Sequence, residues 1–140
     1  MNLELDVVNR YYDTLNRRDW AAYEALFAPD CVISAPGSFE GTGVEAVRAF
    51  DRVWADAATD FRVETKRQFA AGGQVASENV AHATHTGVLR TPSGEIPPTG
   101  RTLAGPYVGI FTVRAGKIAS QTIYFDQVGL MTQLGVLQTG

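Results

Sequence analysis

With 140 residues, 45% of them apolar and 19% charged, and a formal net charge of −3, the chain is sized for one folded domain over 1–140. It has neither a basic run to attract nucleic acid nor an apolar stretch long enough to span a membrane. Glu4 and Asp6 interrupt the N-terminus where a secretory signal needs an unbroken apolar run, so a cytoplasmic location is expected. The single cysteine, Cys31, has no partner for an internal disulfide and lies in an apolar stretch, the setting of an inert buried thiol.

Leu5, Val8, Tyr12 and Leu15 recur at helical spacing and predict an amphipathic first helix. Asn16 to Asp19 breaks that pattern, and Asp19 can cap a shorter second helix whose Trp20, Tyr23, Leu26 and Phe27 face inward. Cys31 to Ala35 reads as a brief strand stopped by Pro36 and a polar loop through Gly43. Thr42-Gly43-Val44-Glu45 fits a capping box, opening a third helix with Val47, Phe50, Trp54 and Ala57 on one face.

After Asp60 the period changes to two. Phe61, Val63, Thr65 and Phe69 alternate with Arg62, Glu64, Lys66 and Gln68, the pattern of a strand with one wet face. Val75 to Thr86 continues as a strand, and the proline- and glycine-rich segment from Gly87 to Arg101 reads as a loop around an open end of the sheet. Gly105 to Val113 and Lys117 to Phe125 form a long hairpin about Arg114-Ala115-Gly116. A three-residue loop there pairs Val113 with Lys117 and turns Tyr107, Gly109, Phe111, Val113, Gln121, Ile123 and Phe125 to the interior. The expected fold class is α+β: a cone-shaped α+β barrel, three N-terminal helices packed in a curved antiparallel sheet, its apolar interior suited to a small molecule.

The order of elements and six local strings resemble the SnoaL-like polyketide cyclase family of the nuclear transport factor 2 and ketosteroid isomerase superfamily. The strings are Tyr12 to Asn16 with Arg18-Asp19-Trp20, Leu26 to Asp30, Thr84-His85-Thr86-Gly87, Ile96 to Arg101, Gly116-Lys117-Ile118, and Asp126 with Gln133-Leu134-Gly135. The resemblance implies intramolecular aldol ring closure on an anthracycline precursor ester, without metal or cofactor; relatives hydroxylate, open epoxides, isomerise or only bind. It also implies an aspartate in the final strand as acid and base, helped by a histidine on the neighbouring strand. Ile123 and Gly109 stand at those two places, and neither can move a proton.

Other groups are left to carry chemistry. Gln121 faces the interior, either to hydrogen-bond a ligand carbonyl or to satisfy Tyr12 or buried backbone. On the Val75 to Thr86 strand, Asn79 and His85 share the inward face; His85 is either an acid–base group or a strand-end histidine held by loop backbone. Asp126 is either the N-cap of a short helix or a catalytic carboxylate. Tyr12, Trp54 and Tyr107 are core aromatics that can also touch a ligand, with Ile123 beside them. His82 and His85 point to opposite faces and cannot chelate together, so no metal is expected, and the resemblance implies no cofactor. The candidate catalytic pair is therefore His85 and Asp126, and the candidate ligand set is Tyr12, Trp54, Asn79, Tyr107, Gln121 and Ile123. Two readings stay open: a cofactor-independent cyclase, isomerase or hydrolase type of enzyme with altered catalytic residues, and a binding or assembly module that has lost the acid–base pair. A homodimer is expected through an outer sheet face bearing Val108, Ile110 and Ile118.

Overall fold

The computed structural model describes residues 2–136; Met1 and residues 137–140, the ends of the expected span, lie outside the described residues. Helices α1 (Leu3–Arg17) and α2 (Trp20–Glu24) lead into β1 (Phe27–Ala35) and β2 (Phe39–Thr42), and α3 (Val44–Ala57) follows. Strands β3 (Arg62–Ala71), β4 (Gln74–Thr84), β7 (Thr102–Arg114) and β8 (Lys117–Phe125) complete a six-stranded sheet of order β2-β1-β8-β7-β4-β3. The β1–β8 pair is parallel and the other pairs are antiparallel. A small hairpin, β5 (Leu89–Thr91) with β6 (Gly94–Ile96), occupies part of the segment expected to be loop, and α4 (Gln127–Leu134) closes the described chain.

The helices lie on the concave face, as the cone requires. Val8 and Leu15 of α1 are buried with Phe27, Ile33, Phe50, Phe111 and Ile118 in one core, each such side chain contributing roughly 1.5–3 kcal/mol of transfer energy. The end of α1 is anchored to the sheet edge: the Asn16 amide accepts from the Val63 N–H at 2.8 Å and donates to its carbonyl at 3.0 Å. Asp19 caps α2 by accepting from the Ala22 N–H at 3.3 Å.

Four local expectations are corrected. Phe27 begins β1 instead of ending α2. The capping box at Thr42–Glu45 does not form: Thr42 ends β2, and the N-cap is Gly43 at φ 93°, with no side-chain bond. The hairpin turn has two residues, not three. Ala115 (φ 53°) and Gly116 (φ 75°) both take the left-handed conformation of a type I′ turn, and Arg114 pairs with Lys117. That turn alone would put odd residues opposite even ones. A bulge at Ala119 restores odd-with-odd pairing, though two residues away from the expected register, because Val113 faces Ile118 while Thr112 faces Ser120, so Gly109 meets Ile123 and Phe111 meets Gln121. Ile118 lies on the turn side of the bulge and is 0% exposed, so it belongs to the core and not to the outer face.

A second bulge, at Lys66, acts in the opposite sense. Thr65 pairs with Asn79 and Arg67 with Glu78, so the strand changes face midway and Phe69, expected inside, is 64% exposed on the outer side. Val63, before the bulge, is buried as expected.

Candidate active site

Helix α3 turns Val47, Phe50, Trp54 and Ala57 toward the core, and Asp51 sits on the same stripe at 4% exposure. Its Oδ2 accepts hydrogen bonds from the Tyr11 hydroxyl at 2.8 Å and the Tyr23 hydroxyl at 2.5 Å. Gln121 Nε2 donates to the Tyr11 oxygen at 3.1 Å, which leaves the Tyr11 proton directed at the carboxylate. Burial raises Asp51 from its ordinary 3.8 to about 6, and the two tyrosine bonds, which favour the charged form, limit the rise. Burial first and the Asp51 charge second push both tyrosines upward, so they remain protonated donors. Oδ1 has no hydrogen-bond partner among the described residues, yet it is not sealed from solvent; it is the oxygen left open to the adjacent cavity.

That cavity has a volume of about 120 Å³. Leu15, Phe50, Trp54, Phe61, Leu103, Ile123 and Phe125 make its apolar walls, Tyr11, Asp51 and Tyr107 are the polar groups contributed by α1, α3 and β7, and Asp126 and Gln133 come from the start and the end of α4. The Trp54 ring meets Phe125 edge-on at 5.9 Å between centroids. Gln133 fixes α4 to β7 by bonding both backbone groups of Ala104, at 2.9 and 3.0 Å.

Of the residues expected at the site, Trp54, Tyr107, Ile123 and Asp126 line the cavity. Asp126 is also the N-cap of α4, accepting from the Gly129 N–H at 2.8 Å. The other four stand elsewhere. Gln121 is buried behind Tyr11 and does not reach the lining. Tyr12 and Asn79 form a buried chain behind the lining, in which Asn79 Nδ2 donates to the Tyr12 oxygen at 3.0 Å and Ser77 Oγ donates to Asn79 Oδ1 at 2.8 Å, and Tyr12 in turn neighbours the lining residue Tyr107. His85 is held by the loop: its Nδ1 accepts from the Thr99 N–H at 3.2 Å and lies 3.0 Å from Thr99 Oγ1. Tyr12, Asn79, Gln121 and His85 thus lie outside the cavity lining, each held by neighbouring side chains or backbone, while His85 Nε2 and Gln121 Oε1 have no hydrogen-bond partner among the described residues.

Asp51, Tyr11 and Tyr23 were not expected. The signal was a carboxylate at helical spacing within an apolar face, four residues after Val47 and three before Trp54. Among the described residues no group of three His, Cys, Asp or Glu side chains could hold a metal ion, and no helix is long and apolar enough to cross a membrane.

Among curated proteins no relative matches the chain. Solved structures do. A candidate SnoaL-like polyketide cyclase from Jannaschia sp. CCS1 superposes with a TM-score of 0.84 at 17% identity, over 97% of this chain and 94% of that one. IdmH from Streptomyces antibioticus, a candidate polyketide cyclase, gives 0.78 at 26% identity, over 95% of this chain and 99% of that one. An LEH-like epoxide hydrolase from M. tuberculosis gives 0.73 at 20% identity, over 94% of this chain and 89% of that one. The family model described as SnoaL-like polyketide cyclase matches residues 5–134, so the chain belongs to the SnoaL-like polyketide cyclase family.

Proposed function

We propose that this protein is a cofactor-independent enzyme that moves a proton on a small, largely apolar ring compound, in a reaction of the cyclase, isomerase or hydrolase type, with Asp51 giving and taking the proton. The observation that carries this reading is the Asp51 carboxylate, buried beside an apolar cavity with one oxygen bound by two tyrosines and the other open. At about 6, both protonation states are populated near neutral pH, the condition under which one group serves as acid and base in turn. Ionised, Oδ1 accepts a proton from carbon beside a carbonyl, while Tyr11 and Tyr23 hold the charge on Oδ2. The proton then returns from Oδ1 to another atom of the same molecule, and Asp51 is regenerated. Apolar walls strengthen both steps by excluding water.

A second reading is a binding or assembly module with the same ligand class. It is favoured by Ile123 and Gly109, which carry no titratable group at the two places where the family resemblance implies an acid–base pair. Deuterium exchange separates the two: a cyclic ketone in D₂O, followed by NMR, should exchange its α-protons faster with the protein than in buffer. Asp51→Asn should lower that rate by about 10²- to 10⁴-fold. No acceleration by the wild type would leave the binding module, and acceleration untouched by Asp51→Asn would remove Asp51 from the mechanism.

A further inference from the structure

Resting on the reading of Asp51 as the cavity's proton-transfer group, we infer that the cavity takes uncharged single-ring compounds bearing one hydrogen-bonding oxygen and turns the same rings away when they carry a carboxylate. The acidic side chains on its wall are Asp51 and Asp126, and no Lys, Arg or His among the described residues lines it. Arg101, which approaches α4, is directed at the Gln133 carbonyl at 3.4 Å and lies against Gly135. The N-terminus of α4 would ordinarily welcome an anion. Here Asp126 already fills that place: its Oδ1 takes the Gly129 N–H at 2.8 Å, and its carboxylate covers the Gly129 position. An anionic ligand would therefore be stripped of water and set beside like charge with no compensating donor other than neutral hydroxyls and amides.

Size and polarity narrow the class further. An apolar protein cavity of about 150 Å³ holds benzene, and this one is about 120 Å³. Phe50, Trp54 and Phe125 form a continuous aromatic wall, with centroids 6.4 and 5.9 Å apart, against which one ring can pack. Asp51 Oδ1, engaged by no donor among the described residues, is the atom a ligand's hydroxyl would meet when the carboxylate is ionised and a ligand's carbonyl when it is protonated.

The test is titration calorimetry of the full chain at pH 7.5 with acetophenone, benzoate and 2-acetylnaphthalene. Acetophenone is expected to bind at least tenfold more tightly than benzoate and more tightly than the two-ring ketone. Asp51→Asn should narrow the acetophenone–benzoate gap several-fold, since it removes the buried charge and keeps the shape. Benzoate binding equal to or tighter than acetophenone overturns the inference, as does a gap unchanged by both Asp51→Asn and Asp126→Asn. Failure of all three probes at millimolar concentration, or preference for the two-ring ketone, overturns the size class. Because these are binding readouts, they can succeed where the proton-exchange assay fails, or the reverse.

Discussion

The hydroxyl of Tyr12 occupies the space into which a side chain at Gly109 would grow: a Cβ built there would lie 3.0 Å from it and 3.1 Å from the Phe111 ring. Gly109, where the family resemblance implies a histidine, is therefore part of a packing arrangement. Gly109→Ala is expected to destabilise by about 1–3 kcal/mol through overpacking. Tyr12→Phe removes the hydroxyl and should relieve part of that, giving a coupling of about 0.5 kcal/mol or more in a double-mutant cycle read by urea unfolding. Strictly additive effects would show that Tyr12 does not exclude the side chain.

Much of this arrangement could be read from residue order, and the failures have physical causes. Alternation on β7 and β8 places Ile123 and Phe125 inside even though the turn is one residue shorter than expected, because the bulge at Ala119 compensates for it. No such compensation acts at Lys66, where an extra residue turned Phe69 outward. A bulge leaves little trace in a one-residue alternation. Asp51 and Tyr11 were legible in principle, since each lies on the apolar stripe of its helix, Tyr11 three residues after Val8 and four before Leu15. Their partnership was not, because Tyr11, Tyr23 and Gln121 reach the same point from three separate elements.

Gln121 should prove a support for Tyr11 and not a ligand contact. Its Oε1 is buried without a partner among the described residues, so Gln121→Met removes an unsatisfied acceptor as well as the bond to Tyr11. The two effects oppose each other, and the stability change is expected to stay within about 1 kcal/mol. Affinities for ketone and hydrocarbon ligands should shift together. A selective loss for the ketone would return Gln121 to the recognition set.

The outer face of the sheet is expected to pair with a second copy of the chain. Phe69, Ile110 and Tyr124 are exposed there at 64, 37 and 55%, and the register sets Phe69 opposite Ala76, Ala76 opposite Ile110, and Val108 opposite Tyr124. Ile110→Glu would place a charge in the middle of that row. Light scattering at micromolar concentration should show a dimer for the wild type and a monomer for the variant; a monomeric wild type would sink the expectation.

Asp51 should also write a pH dependence into stability. Its pKa is higher in the fold than in the unfolded chain, so the folded state binds the extra proton between about 4 and 6. The group's contribution is most favourable below its unfolded value and declines as pH rises through about 6, by about 3 kcal/mol in all. Asp60 and Glu64, whose carboxyls are held below their ordinary values by hydrogen bonds to Thr84 and His82, act in the opposite sense at acid pH. The informative quantity is therefore the difference between two unfolding curves, wild type and Asp51→Asn, measured from pH 4 to 8. An asparagine Oδ1 can still accept from Tyr11 and Tyr23, and it carries no charge to bury. The variant should gain on the wild type as pH rises, ending about 1–3 kcal/mol more stable at pH 8, while losing proton transfer. A constant difference across that range would mean that Asp51 ionises without penalty, and the acid–base role argued for it would lose its electrostatic basis.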